Sequence, residues 1–377
     1  MSIAAQPHRP HSDHRGHRVQ RATHADQADQ ADQADLADHI DRARRADQAD
    51  GAAQPQALRG SSTFGARIDQ ALEAALAGHA VSGAPPRLVA ALRHAVLPGG
   101  ARVRPKLCLA VAAACGDDHP ALSEAAAAAI ELMHCASLVH DDLPCFDDAP
   151  LRRGRPSVHA AFGQRLAVLA GDALIVLAFE RLATAAAGGA GGAGRVASAA
   201  AAPAQRLAAL TLALASRVGL PHGICAGQAW ECEDWAALPD YHRAKTGSLF
   251  AAATEMGALA AGAAPRRWQE FGEALGEAYQ VADDIRDVAG NPDWLGKPVG
   301  RDIKLGRPSA VREMGLEGAL AYFDRLVRQA AAAVPAGRGT QPLRQLVQAE
   351  AERMLPASLV APVRRRQAAA TARRAAA

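Results

Sequence analysis

The sequence predicts an all-α protein, and three observations carry that expectation. Apolar residues recur three and four positions apart through stretches such as ARIDQALEAALAGHA and PPRLVAALRHAVL, the spacing of one helix face. Alternating apolar and polar runs, the mark of half-buried strands, are nearly absent. The 377 residues are 49% hydrophobic but only 4% aromatic, so alanine and aliphatic side chains must fill the core, and the length suffices for one large helical domain.

Residues 1–62 read as a leader outside that domain. They open HRPHSDHRGH and pass into the triplet run ADQADQADQADLAD, polar low-complexity sequence that buries too little apolar area to offset the entropy of ordering it. In a helix its aspartates would fall three apart and repel one another. The domain is expected over residues 63–360. LSEAAAAAIELMHCASLVH is a long helix with Ser123 as its N-cap, and RLAVLAGDALIVLAFERLA, apolar nearly all round, is a buried helix. The Ala/Gly stretch 185–203 breaks the pattern as a loose connection. Helical spacing resumes in AQRLAALTLALASRVGL, LFAAATEMGALAAGA, WQEFGEALGEAYQVADDIRDV and EGALAYFDRLVRQAAAAV, before a basic tail at 361–377. A net charge of +3 is too mild to imply a nucleic-acid partner. The six cysteines form no CxxC pair and several sit in apolar runs, which fits a reducing cytoplasm. No signal-peptide core and no long uncharged apolar stretch stand out, so neither secretion nor a membrane span is expected.

Two acidic clusters break this alanine-rich background. In LVHDDLPCFDDAPLRRGRP, Asp141, Asp142, Asp147 and Asp148 crowd around Pro144, and Arg152 and Arg153 follow at once. Two carboxylates ~4 Å apart repel by ~4 kcal/mol at an effective dielectric near 20, so a cation is expected between them. In YQVADDIRDV, Asp283, Asp284 and Asp287 fall three and four apart on a helix. A lone cluster of this kind is most often a solvated helix end. Two of them, each closing an apolar helix and each followed by basic residues, point to a hard-oxygen site suited to magnesium, which is shared between carboxylates and substrate phosphates. Zinc is disfavoured for want of matched thiolates or imidazoles, and no calcium-loop spacing is present. Arg102 and Arg104 in GGARVRP, Lys245 in KTGS and Lys297 in LGKPVGRD join the arginine pair in glycine- or proline-marked segments. With the aspartates they describe a cavity for a polyanion, and a diphosphate fits.

From about Gly99 to Ser309 the sequence resembles the trans-isoprenyl diphosphate synthases. DDLPCFDDAPLRRGRP is similar to the first aspartate-rich motif of that family in its longer form, and YQVADDIRDV to the second. GGARVRP, ELMH, LAGDAL, GQAWE, KTGS, LGKPVGRD and GRPS match further blocks in order. The resemblance implies the isoprenoid-synthase fold, a helical bundle around a central cavity, assembled as a homodimer. It implies that Asp141, Asp142, Asp147, Asp283, Asp284 and Asp287 hold Mg2+ on an allylic diphosphate. Arg152, Lys245, Lys297 and Arg307 grip that diphosphate, while Arg104, His134 and Arg153 bind isopentenyl diphosphate. Thr246 and Gln280 line the site near the developing allylic cation. Three positions depart from the pattern: Ala101 replaces a lysine, Glu231 stands where aspartate is frequent, and Arg307 replaces lysine.

Family members that make farnesyl diphosphate carry an aromatic residue five positions before the first aspartate. Here that position is Ala136, so the resemblance implies geranylgeranyl diphosphate as product, with farnesyl or longer chains as the runner-up. The motifs are most similar to synthases of phototrophic purple bacteria that feed carotenoid and bacteriochlorophyll pathways. Two readings of other classes stand beside this one. A terpene cyclase would replace the second motif with an Asn/Ser/Glu triad, and a non-catalytic partner subunit would have lost one motif.

Overall fold

The computed structural model describes residues 59–79, 83–97, 99–188, 197–233, 237–289, 309–337, 339–356 and 361. These lie in one compact unit spanning Pro55–Ala377. Its helices are α1 (Arg59–Ala77), α2 (Pro86–Val96), α3 (Val103–Ala114), α4 (Pro120–Asp141), α5 (Val158–Phe162), α6 (Gln164–Ala186), α7 (Ala197–Val218) and α8 (Ile224–Ala229). After them come α9 (Leu238–His242), α10 (Ser248–Ala260), α11 (Arg266–Ala289), α12 (Ala310–Ala333) and α13 (Gln341–Met354). The all-α expectation holds, with one small exception described below.

Helix α10 is the hub, packed against α3, α4, α7 and α11. Its sequence, SLFAAATEMGALA, is buried almost all round. Small residues let its neighbours come close. A Cβ on Gly276 of α11 would sit 2.6 Å from the Gly247 Cα, and one on Gly272 would meet the Phe250 carbonyl oxygen at 2.8 Å. Bulk is supplied by Phe250, Phe271, Leu107 and Ile130, all fully buried, each worth roughly 1.5–3 kcal/mol of transfer free energy.

Three sequence expectations change. Helix α4 starts at Pro120 rather than at Ser123: proline is pre-organised for the first helical turn, and the His119 ring accepts a hydrogen bond from the Leu122 N–H as cap. Ser123 instead donates to Asp117 at 2.5 Å. Helix α7 begins at Ala197, inside the stretch expected to be a loose connection, because alanine is the strongest helix former. Residues 189–196 of that stretch lie outside the described residues, as do the leader up to residue 58 and nearly all of the basic tail.

Third, α6 is not buried all round. Val168, Leu169 and Val176 are 41%, 52% and 65% exposed, so this helix keeps an open apolar face. The expectation of no membrane span stands, although α4 is by length and composition apolar enough to cross one, with a mean hydropathy of 1.3 over its best window. That surface is spent inside the protein, where 78% of the window is buried, chiefly against α6, α3 and α10.

Candidate active site

The first acidic motif is shaped by the end of α4 and the loop that returns to it. Asp141 is the last helical residue and Asp142 its cap. The Asp147 N–H donates to the Asp141 carbonyl at 2.9 Å and the Ala149 N–H to the Asp142 carbonyl at 3.1 Å, so the segment interrupted by Pro144 folds straight back. A two-stranded hairpin follows, β1 (Leu151–Arg152) and β2 (Arg155–Pro156), in register Arg152 to Arg155. Its two-residue turn has Arg153 and Gly154 at φ 55° and 70°, the left-handed pair that a tight hairpin turn needs. The hairpin aims Arg152 at the motif and Arg153 away from it.

Arg152 donates from Nε to both Asp142 oxygens, at 2.9 and 3.2 Å, with a further bond from Nη2. Asp142 is only 2% exposed. Burial raises its carboxyl pKa, and Arg152 works against that rise. Asp141 accepts from the Gln228 amide at 2.6 Å. A pocket of about 40 Å3 opens beside Asp142, Arg152 and Arg153, walled by His94, Cys135 and Val139. Ala136 is buried within the bundle.

A second group is almost purely cationic. The buried Arg104 approaches His134 Nε2 at 3.3 Å, and its guanidinium lies over the Phe250 and Tyr279 rings at 4.6 and 5.5 Å. Among the described residues no carboxylate reaches it within ion-pair distance, and its Nε makes no hydrogen bond. Burial depresses its pKa, yet a guanidinium stays charged at neutral pH. His134 is held well below the ordinary imidazole range by burial and by the charges of Arg104, Arg153, Arg152 and Arg102. Arg153 hydrogen-bonds the Gly99 carbonyl, and a Cβ on Gly100 would strike its guanidinium at 2.6 Å. The double glycine of GGARVRP thus makes room for Arg153. Arg102, grouped with the anion-binding cations on sequence grounds, is structural: it donates to buried Glu131 at 2.7 Å and to the Val96 carbonyl at 2.6 Å.

A chain of contacts links the two motifs. Helix α8 crosses the segment at Lys245 with no room for a Cβ on Gly227, which would lie 2.8 Å from the Ala244 carbonyl carbon and closer still to Lys245. This crossing places Gln228 on Asp141 and Glu231 on Lys245. Glu231 also accepts from the Tyr241 hydroxyl at 2.5 Å. Lys245 and Thr246 sit in a π-helical turn, Arg243–Gly247, a distortion common at functional sites. Thr246 donates to the Gln280 side-chain oxygen at 2.5 Å, and Gln280 donates to Asp284 at 3.0 Å. Asp284 is further held by the Ala310 N–H at 2.7 Å and approaches fully buried His242 at 3.4 Å.

The sequence reading places all six aspartates on the metal; here Asp142 accepts from Arg152 and Asp284 from Gln280 and the Ala310 N–H, while Asp141 accepts from Gln228. Neighbouring helical residues point about 100° apart. Asp141 and Asp142 therefore meet different partners, Gln228 and Arg152, as do Asp283 and Asp284, which meet Arg286 and Gln280. Asp283 pairs with Arg286 at 2.9 Å and Asp287 lies one turn beyond it. Among the described residues no three His, Cys, Asp or Glu side chains form a preformed metal cluster. The donor set of Asp141, Asp147, Asp283 and Asp287 still fits magnesium, which takes one or two carboxylates and completes its shell with water and substrate phosphate oxygens. Lys297 and Arg307 lie outside the described residues. Gln228, Tyr241 and His242 were not singled out from the sequence, although Gln228 sits in the quoted GQAWE block.

Bundle and side chains together define an α-helical enzyme of the isoprenoid-synthase fold. A geranyltransferase of Helicobacter pylori, solved with magnesium and isoprenyl diphosphate, superposes with a TM-score of 0.64 at 30% identity, covering 79% of this chain and 98% of that one. The chain belongs to the polyprenyl synthetase family, whose model matches residues 85–332. It is 52% identical over 300 residues to the geranylgeranyl diphosphate synthase of Cereibacter sphaeroides, covering 80% of this chain and 99% of the relative. To that of Rhodobacter capsulatus it is 47% identical over 294 residues, covering 78% and 97%.

Proposed function

We propose that this chain is a prenyltransferase that condenses isopentenyl diphosphate with an allylic diphosphate, farnesyl diphosphate above all, to give geranylgeranyl diphosphate. The observation that carries the reading is Arg104, a buried guanidinium seated on two aromatic rings beside neutral His134, with no carboxylate partner among the described residues. A buried cation left unpaired is costly, and a bound anion relieves that cost. Arg104, His134 and Arg153 are assigned to isopentenyl diphosphate. Asp141, Asp147, Asp283 and Asp287 are assigned to Mg2+, and Arg152 and Lys245, with Lys297 and Arg307, to the allylic diphosphate.

Bound magnesium would neutralise the diphosphate leaving group. The chain supplies the rest. Lys245 rests on Glu231 and Arg152 on Asp142, so each cation is held in place before a phosphate oxygen arrives. Thr246 and Gln280 present their dipoles beside the reacting carbon. The surrounding Ala, Leu, Val and Met side chains exclude water that would quench an allylic cation. No dedicated protein base is assigned, because released diphosphate can take the proton. Ala136, small where an aromatic ring would block the elongating chain, is assigned as the position that admits a twenty-carbon product.

A homodimer is proposed on the open apolar face of α6, which a second copy would cover. A reducing, cytoplasmic setting is supported by the six cysteines, all free thiols. The catalytic unit, expected over 63–360, is assigned from Arg59, where α1 begins, to residue 360, with 1–58 as leader and 361–377 as tail. Supply of carotenoid and bacteriochlorophyll pathways is proposed from the motif resemblance. The test is incubation of purified protein with magnesium, isopentenyl diphosphate and each allylic primer in turn, followed by chromatography of the dephosphorylated products. Geranylgeraniol supports the reading, farnesol or a longer alcohol corrects the chain length, a cyclic hydrocarbon favours a cyclase, and no turnover with any primer overturns it.

A further inference from the structure

The residue before the first aspartate, His140, has no part in the roles assigned above, yet its surroundings are unusual. It lies at the end of α4 and reaches across to α6. Its Nε2 is 3.3 Å from the Val168 carbonyl oxygen and 3.8 Å from the Asp172 carboxylate. The ring occupies a notch that exists only because residue 171 is glycine. A Cβ built on Gly171 would fall inside the imidazole, 2.5 Å from Cδ2, 2.6 Å from Cε1 and nearer still to Nε2. Gly171 is helical and buried, with no positive φ to explain it, so the choice of glycine is about space. Helices α4 and α6 are the most extensively packed pair in the bundle, and this ring closes their contact at the end that carries the carboxylates.

We propose that His140 is a positioning residue: its imidazole, seated in the Gly171 notch and hydrogen-bonded to the Val168 carbonyl, fixes the end of α4 and thereby the placement of Asp141 and Asp147. The link from ring to motif is short. Asp141 follows His140 directly, and Asp147 hangs from the Asp141 carbonyl by the 2.9 Å bond already described. A shift of α4 at His140 therefore moves both carboxylates together. The isopentenyl diphosphate group is anchored elsewhere, by Arg104 on α3, by His134 almost two turns upstream and by Arg153 against the Gly99–Gly100 loop. Loss of the notch should disturb the metal-bound diphosphate while leaving affinity for isopentenyl diphosphate near its original value.

The role of Asp141 and Asp147 rests on the proposed function, so the test has two readouts. In the first, His140→Ala, Gly171→Ala and the double variant are assayed for prenyl transfer. A displacement of about 1 Å costs on the order of 100-fold. His140→Ala and Gly171→Ala should each lower kcat by ~10- to 100-fold and raise the magnesium concentration for half-maximal rate, with the KM for isopentenyl diphosphate changed less than ~3-fold. The double variant should match His140→Ala, because no ring remains for the new methyl group to strike, and His140→Gln, which keeps a donor, should recover part of the loss. In the second, magnesium-dependent binding of inorganic pyrophosphate is measured by calorimetry. It should weaken in both single variants whether or not the wild type turns over prenyl substrates. Unchanged kcat and pyrophosphate binding in Gly171→Ala, or a double variant impaired by the product of the two single effects, overturns the proposal. An inactive wild type that still shows the predicted pyrophosphate pattern overturns the proposed function and not this role for His140.

Discussion

Arg152→Ala tests how the first motif is held together. Asp142 is 2% exposed and takes its charged hydrogen bonds from Arg152, at 2.9 and 3.2 Å from Nε and again from Nη2. Removing one partner of a buried ion pair costs ~3–5 kcal/mol, because the remaining charge is stranded. The Arg152 side chain is 27% exposed, so the lower figure applies and solvent screening takes it to about 3 kcal/mol or slightly less. With an unfolding entropy of ~2.1 cal/mol/K per residue over roughly 300 folded residues, that loss lowers Tm by about 5 °C. The assay is scanning calorimetry at pH 7.5 in the absence of substrate. The sign of the pH dependence follows from Asp142. Burial already raises its pKa, and without Arg152 it rises further above the unfolded value. A native carboxyl with a raised pKa binds more protons than the unfolded chain, so stability is gained as pH falls through the folded pKa. The Tm deficit of the variant should therefore shrink from pH 7.5 toward pH 5. A Tm loss below about 1 °C, or a deficit that grows on acidification, would refute the reasoning.

Three further outcomes follow from the same geometry. Ala136→Tyr places an aromatic ring in the buried turn upstream of Asp141 and should shorten the product to farnesyl diphosphate, read by chromatography; unchanged length means that another residue sets the floor. Arg104→Met removes a charged contact worth ~1.5–3 kcal/mol and should raise the KM for isopentenyl diphosphate by ~10- to 100-fold with a much smaller change for the allylic substrate, measured by steady-state kinetics. His134, depressed by burial and four arginines, should show no imidazole titration by NMR between pH 6.5 and 8 in the substrate-free protein. Its lowered folded pKa adds stability above pH ~6.5 that is lost as pH falls toward the folded value, so acid should destabilise the wild type more than His134→Gln.

Much of this was legible in the sequence because it depends on periodicity and on local chemistry. The helical spacing of ALRHAVL or ALGEAYQVADDI survives any tertiary context, and glycine-marked arginines announce close approach of a backbone. What escaped depends on direction and distance. Adjacent aspartates look alike in a string, yet a helix turns one of each pair inward, to Arg152 or to Gln280 and Ala310. That division follows from 100° per residue and could have been read from the spacing alone. The RRGR hairpin is too short for alternation to mark it, and the π-turn at Lys245 has no compositional sign. The open face of α6 was hidden because a helix apolar all round reads the same whether its last side meets the core or is left open. The glycine of LAGDAL showed its purpose only once the His140 ring was seen in its notch.

The most direct test of the whole account is to locate the cation. Crystals grown with Mn2+ and a non-hydrolysable allylic diphosphate analogue would place the metal by its anomalous scattering. The account predicts peaks bridging the analogue to Asp141 and Asp147 on one side and to Asp283 on the other, with Asp142 still on Arg152. Metal bound away from both acidic helix ends, or a diphosphate held with neither motif in contact, would contradict it.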